Sequence, residues 1–245
     1  MTENKKENLN NRMIKFLFEG APVRGACVQM AEEWQEMIKF HHYPENVAAL
    51  LGQFTAGALL LSSTIKFEGS LILQVKGSGP IAFIYAEVRN PMSVRAMAEI
   101  REGAEIKPEM DLQELINKDG KGLCALILDP KDRRPGVQPY QGMVSLESNS
   151  VAENLENYMA KSEQLETKLY LAADSKKLGG LVIQKMPSVG GNVSEISDPD
   201  AWGRILQLAH TVTKDELLNV PATDVLHRDR KSTRLNSSQR DISYA

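Results

Sequence analysis

A basic loop followed by a tyrosine is the first stretch of this sequence that could bind a small anion. Arg133 and Arg134 stand in DPKDRRPG beside Lys131, and Tyr140 follows in PYQG. Guanidinium groups bind phosphates and carboxylates through paired hydrogen bonds. Interleaved aspartates such as Asp132 weaken the local field, so a solvated loop is the favoured interpretation. The alternative is a small-molecule or anion-binding enzyme domain with a site near Arg133, Arg134 and Tyr140.

Tyr140, Gln141 and Gly142 bring a ring and an amide from that loop into a strand. The favoured role is structural: the tyrosine ring packs, while its hydroxyl and the glutamine amide satisfy buried polar groups. Recognition of a ligand is the alternative, and the residues alone do not decide between the two.

Two cysteines and one histidine pair are the remaining groups with metal or nucleophile chemistry. Cys27 and Cys124 are flanked by apolar or small residues, which favours buried thiols over reactive ones, and two thiols cannot complete a four-ligand zinc site. His41 and His42 are adjacent, so on a helix they diverge by about 100° and chelate one metal poorly. The sequence also lacks the P-loop, GxSxG and HExxH patterns. We therefore expect no catalytic, metal or cofactor site, and no enzyme.

The composition is that of an ordinary globular protein. Of 245 residues, 42% are hydrophobic and 25% charged, and the net charge of −3 gives no basic field for nucleic acid. The polar start MTENKKENLNNR does not resemble a signal peptide, so we expect a reduced, cytoplasmic protein. The uncharged stretch from Val47 to Ile65 could nearly span a membrane. Its internal polar residues, such as Gln53, and its lack of a basic flank favour a central core helix instead.

Several elements can be predicted around these residues. Segments 71–75 and 81–85 flank KGSGP, and 168–172 and 180–186 flank ADSKKLG, so both pairs are expected to form hairpins. Residues 123–128 and YQGMVSLE are further strands. Helices are predicted in AEEWQEMIKFHH, after Pro44, after Asp198-Pro199, and after the capping boxes Ser150–Glu153 and Thr213–Glu216.

This order predicts an α+β fold, with antiparallel, hairpin-rich sheets, inserted helices and a helical linker stub after the sheets. The expected divisions are a disordered start (1–11), an N-terminal α+β domain (12–187), a partly helical linker (188–228) and a tail (229–245).

Long runs of the chain resemble the heat shock protein 33 family, the redox-regulated chaperones also called 33 kDa chaperonins. The matching runs are FEGAPVRGACVQM, EEWQEMIKFHHYPENVAALLGQFTAGALLLSSTIKFEGSLILQVKGSGP, DPKDRRPGVQPYQGMVSLE, ENYMAKSEQLETKL and TKDELLNVPATDVLHR. The resemblance covers about residues 12–228.

The resemblance implies an ATP-independent holdase that binds unfolding client proteins during oxidative stress and that tends to form homodimers once oxidised. Its client surface is expected on the N-terminal domain and the linker, with no nucleic acid or membrane as partner. In the full-length family a C-terminal domain with CxC and CxxC cysteines holds zinc when reduced. Oxidation releases the metal and unfolds the linker, since the same thiolates ligate and react.

The sequence departs from that family pattern near its end. It contains no CxC or CxxC. After Arg228 the segment DRKSTRLNSSQRDISYA has no helical or strand periodicity. We expect the chain to lack the zinc domain, and residues 229–245 to be a non-native, disordered tail that resembles translated adapter sequence. A natural disordered tail is the alternative.

Overall fold

Over the part of the chain that it describes, the computed structural model has two sheets and seven helices. It describes residues 11–65, 67–89, 93–132, 136, 138–186, 200–227, 235–241 and 243–244. The α+β class with antiparallel sheets is confirmed by this architecture, in which almost every strand pairs with a neighbour of opposite direction. Helices are inserted between the strands and also follow them, as the sequence predicts.

The first sheet has five strands in the order β10-β1-β2-β9-β8. All four pairings in it are antiparallel, and three of its strands come from the two ends of the described chain. Its strands are β1 (Arg12–Phe18), β2 (Val23–Met30), β8 (Thr167–Ala173), β9 (Leu178–Lys185) and β10 (Leu235–Asp241).

The second sheet has six strands in the order β11-β5-β4-β3-β6-β7. Its pairings are antiparallel except for the short parallel contact between β11 and β5. Its strands are β3 (Gly69–Lys76), β4 (Ile81–Arg89), β5 (Ser93–Ile100), β6 (Leu123–Pro130), β7 (Tyr140–Ser145) and β11 (Ser243–Tyr244).

Helix α2 (Glu45–Thr64) lies between the two sheets and contacts strands of both. It is long and apolar enough to cross a membrane, with a mean hydropathy of 1.4 in its most apolar window, but 78% of that window is buried inside the protein. The structure therefore uses the uncharged stretch as a central core helix, as its internal polar residues indicate. The hydroxyl of Thr55 donates to the carbonyl oxygen of Leu51, which satisfies one of them within the helix.

The other helices either pack into the core around α2 or lie on the outer face of the five-stranded sheet. Helices α1 (Glu32–Ile38) and α3 (Leu112–Ile116) are short, and α4 (Val151–Lys161) packs beside α2, β7 and β8. Three further helices lie between β9 and β10 in the chain: α5 (Ala201–Ala209), α6 (Lys214–Asn219) and α7 (Ala222–His227). We refer to α5, α6 and α7 as the linker helices.

Local sequence signals account for several helix starts. Thr213 and Glu216 form the expected reciprocal capping box at the start of α6. At α4, Ser150 caps the backbone of Glu153, but the Glu153 carboxylate binds the Ser148 hydroxyl instead of completing the box. The signal at Asp198-Pro199 lies outside the described residues, and the observed N-cap of α5 is Asp200.

The expectation of a disordered tail fails for residues 235–241, which form strand β10 along β1. Side-chain periodicity could not reveal this strand. It pairs with β1 through backbone N–H and C=O groups, which any extended segment can offer whatever its side chains. That the tail is non-native remains a prediction, and so do the domain boundaries at 187 and 228.

Candidate functional site

An apolar layer joins the linker helices to the outer face of the five-stranded sheet. The sheet's side of this layer, which we call the covered face, points away from α2. Its residues are Ile14, Phe16, Phe18, Val23, Cys27, Ala172, Leu181 and Ile183. The linker helices supply the opposite side with Ala201, Ile205, Ala209, Leu217, Ala222 and Leu226. The protein therefore has a second hydrophobic core, separate from the one around α2.

Aromatic rings form one end of the covered face. The rings of Phe16 and Phe18 meet edge to face, with centroids 5.5 Å apart. Phe16 lies opposite Gly25 in the β1–β2 register. A Cβ atom on Gly25 would stand 2.2 Å from the Phe16 ring, so only glycine lets the ring lie across β2. An apolar surface of this kind binds non-native chains when it is exposed.

Gln29 on β2 holds the linker helices against the sheet. Its side-chain Nε2 donates to the carbonyl oxygens of Leu217 (2.9 Å) and Val220 (2.7 Å), at the end of α6. Its Oε1 accepts a hydrogen bond of 2.9 Å from the backbone N–H of Ala222, at the start of α7. Gln29 is buried, so one amide satisfies three backbone groups at the turn between α6 and α7. Sequence reasoning missed Gln29, because nothing in GACVQM distinguishes it from any polar residue in a strand.

Further contacts fix the same helices to β8 and β9. A Cβ atom on Gly179 would lie 2.2 Å from the carbonyl oxygen of Leu217, so the α6 backbone approaches β9 where only glycine fits. The Lys177 ammonium donates to the Asn219 side chain over 2.9 Å. The Tyr170 hydroxyl lies 3.2 Å from Nδ1 of His210, at the end of α5.

The cysteines are buried on opposite sides of the five-stranded sheet, Cys27 beneath the linker helices and Cys124 in the core around α2. Burial raises the pKa of both thiols to about 12. A thiol needs its thiolate form to bind metal or react, so both are inert while the protein is folded. Within the described part of the chain no three His, Cys, Asp or Glu side chains could hold a metal ion together. These residues therefore do not fit the zinc of the family pattern.

The PYQG stretch forms a hydrogen-bonded cluster with α4. The Tyr158 hydroxyl donates to Oε1 of Glu163 over 2.8 Å, and the Tyr140 hydroxyl reaches the same oxygen over 3.1 Å. Burial, together with these two partners, raises the pKa of Tyr158 above its ordinary value. A Cβ atom on Gly142 would stand 2.1 Å from the Tyr158 hydroxyl, so this glycine makes room for the tyrosine. Gln141 is exposed on the neighbouring position of β7.

The anion site considered from the sequence stays a prediction, since the structure describes only one of its three residues. Arg133 and Arg134 lie outside the described residues, and Tyr140 is engaged with Tyr158 and Glu163. His41 stacks on Tyr43 with ring centroids 5.0 Å apart.

The solvent face of the six-stranded sheet is a second candidate surface. One cross-strand row in register runs Met97, Tyr85, Gln74, Ala125, Met143. Its two ends are exposed, Met97 by 40% and Met143 by 48%, and Leu123 nearby by 45%. Flexible methionines suit surfaces that accept varied partners.

Comparison with known proteins identifies the family. The family described as Hsp33 protein matches residues 11–242, which continues past Arg228, where we expected the resemblance to end. The 33 kDa chaperonin of Methylobacillus flagellatus is 37% identical over 221 residues, covering 90% of this chain and 71% of the relative. That of Nitrosococcus oceani is 40% identical over 222 residues, with the same coverage.

A solved structure has the same fold. The 33 kDa chaperonin of Thermotoga maritima superposes with a TM-score of 0.75 at 20% identity, covering 96% of this chain and 80% of that one. The resemblance drawn from the sequence is thus confirmed, and the chain belongs to the Hsp33 family of 33 kDa chaperonins.

Proposed function

We propose that this chaperone is an ATP-independent holdase that binds unfolding client proteins on the covered face during oxidative stress. The observation that carries the proposal is the apolar layer under the linker helices. When these helices lift, Phe16, Phe18 and Ile183 become a continuous apolar surface on a rigid sheet. Such a surface holds hydrophobic segments without recognising a sequence.

The linker helices are suited to reversible opening. Helix α5 has nine residues and α6 and α7 have six each, so all three are below the length of about 12–15 residues at which an isolated helix becomes stable in water. Once detached from the sheet they would unfold, so opening would also release apolar side chains of the helices themselves. The holdase would act in the cytoplasm, without catalysis, and as a monomer or a homodimer.

Light scattering of a thermally unfolding client tests this function. The full chain is added under reducing and then under oxidising conditions. We expect aggregation to be suppressed to the same degree in both, because Cys27 and Cys124 are buried in separate cores, where neither thiol reacts readily. A Gln29→Ala variant, which loosens the linker helices, should suppress aggregation at a lower ratio of chaperone to client. No suppression by either protein would contradict the proposal.

A further inference from the structure

Strand β1 would be the edge of the five-stranded sheet if β10 did not pair along it. The register joins seven residue pairs, from Arg12 opposite Asp241 to Phe18 opposite Leu235. An edge strand carries a row of backbone N–H and C=O groups that a further extended chain can satisfy. In this protein a segment of its own chain occupies that row.

The sequence of β10 shows what the edge requires of a partner. The segment reads LNSSQRD, in which Leu235 is the only apolar residue. A strand with this composition gains little from burying side chains. The backbone ladder is therefore the main interaction available to it, and such a ladder does not depend on sequence.

The opposite edge of the same sheet is partly covered by a helix. The Glu156 carboxylate of α4 accepts a hydrogen bond of 2.8 Å from the backbone N–H of Leu169 on β8. Its second oxygen pairs with the Lys168 ammonium over 2.6 Å. A helix side chain thus occupies a backbone donor of β8 that an added strand would need.

Strand β1 lacks the features that usually protect an edge. It contains no proline, and its pairing with β2 is regular, without a bulge. The ammonium of Lys15 donates to the carbonyl oxygen of Ser63 on α2 over 2.7 Å, so this lysine is directed at the core helix. Leu17 is 47% exposed beside the edge and adds apolar contact for an incoming chain.

From these observations we infer that the outer edge of β1 is a strand-addition site for an extended segment of a non-native polypeptide. The client segment takes the position of β10 and is held by backbone hydrogen bonds, while its apolar side chains contact Leu17 or the covered face. This inference rests on the proposed holdase function and adds a second, sequence-independent mode of client binding. Residues 235–241 then compete with clients for the edge.

Peptide binding to the full chain tests the inference. The probe is a fluorescent peptide that reproduces residues 233–243, TRLNSSQRDIS. In the variant S237P/S238P, one of the two prolines removes a donor that faces β1, because N–H groups alternate along a strand. The matched control S237A/S238A changes the same side chains and keeps both donors. We expect the proline variant to bind the peptide on the order of tenfold more tightly than the wild type and the alanine control, since its internal competitor is released.

Modified peptides test whether the edge of β1 binds a chain through its backbone alone. A peptide with the same composition in permuted order should bind equally well. Two further peptides are N-methylated on alternate residues. The peptide whose methyl groups replace the N–H donors that face β1 should bind about tenfold more weakly, whereas the other should keep its affinity. An unfolded, carboxymethylated client should displace the probe.

Four results would overturn the inference: no binding by the proline variant, loss of binding on permutation, equal effects of the two methylation patterns, or no displacement by the client. Dimerisation of the proline variant that blocks the probe would instead assign the edge to a second copy. Light scattering separates these failures from failure of the holdase function. If the protein suppressed client aggregation but did not bind the peptide, clients would bind on the covered face and not at the edge of β1. Circular dichroism checks that the variants are folded.

Discussion

Gln29 is the residue on which the linker helices depend most directly. Gln29→Ala leaves the carbonyls of Leu217 and Val220 and the N–H of Ala222 without their buried partner. Unpaired groups of this kind cost about 1–3 kcal/mol each when they stay buried, but water satisfies them once the helices lift. We therefore expect the free energy of opening the linker helices to fall by about 2 kcal/mol. Hydrogen exchange at the Ala222 amide measures this directly.

Gln35→Ala is the matched control for Gln29. The Gln35 amide donates to the carbonyl oxygen of Lys176 over 3.1 Å at an exposed position, where water replaces the lost bond. Exchange at Ala222 should be the same as in the wild type. If Gln29→Ala left that exchange unchanged as well, the glutamine would not hold the helices.

Gly142 gives a second prediction for a single residue. In Gly142→Ala the new methyl group would overlap the Tyr158 hydroxyl and displace it from Glu163, which should lower the free energy of unfolding by about 1–3 kcal/mol. Gly203→Ala, in α5 with no atom within 4 Å of its Cβ position, should instead stabilise by about 0.5–1 kcal/mol. Urea denaturation compares the two. A neutral Gly142→Ala would mean that the PYQG cluster adapts without cost.

Among the elements, those with a strong local signal were predictable and those defined by distant partners were not. The α6 capping box, the long uncharged helix and the hairpin at KGSGP follow from nearby residues. Helix α3 was missed although Asp111 and Glu114 form a complete capping box, because only five residues follow the cap. Strand β5 was missed because SVRAMAEI alternates small and charged residues, and its burial comes from pairing with β4. The packing of α5–α7 on the sheet depends on Gln29 and Gly179, which carry no sequence signal.

The linker helices as a unit can be monitored through Cys27. This thiol lies beneath them, whereas Cys124 lies in the core around α2 and becomes accessible only on wider unfolding. Burial raises both pKa values, so a disulfide reagent should react slowly with each in the native wild type. In Gln29→Ala the labelling of Cys27 should accelerate about 30-fold, which corresponds to about 2 kcal/mol, while Cys124 stays slow.

Mass spectrometry of the labelled peptides distinguishes the two cysteines, and Gln35→Ala again serves as the control. Parallel acceleration of Cys27 and Cys124 would show that the variant loosens the whole fold. In that case the linker helices would not open as an independent unit.

For the molecule as a whole, the pairing of the two chain ends in one sheet was beyond prediction. The β2–β9 pairing joins residues about 150 to 160 positions apart, and no periodicity encodes which strands become neighbours. The order of hairpins and helices predicted the fold class, and the candidate site emerged only when β1, β2, β8 and β9 formed one face for α5–α7.

The same arrangement predicts how the protein responds to metal and oxidant. The sequence has two cysteines, and the sheet separates them into two cores, so they cannot ligate one ion in the folded state. We expect the purified, reduced chain to hold far less than an equivalent of zinc, and a chelator to leave its melting temperature unchanged. Peroxide should likewise leave the suppression of client aggregation unchanged, because thiols with raised pKa values oxidise slowly. Mass spectrometry measures the zinc content, and thermal unfolding with and without chelator measures the change in melting temperature. Stoichiometric zinc whose removal lowers the melting temperature would contradict the prediction, since a metal adds its binding free energy to folding only if ligands converge.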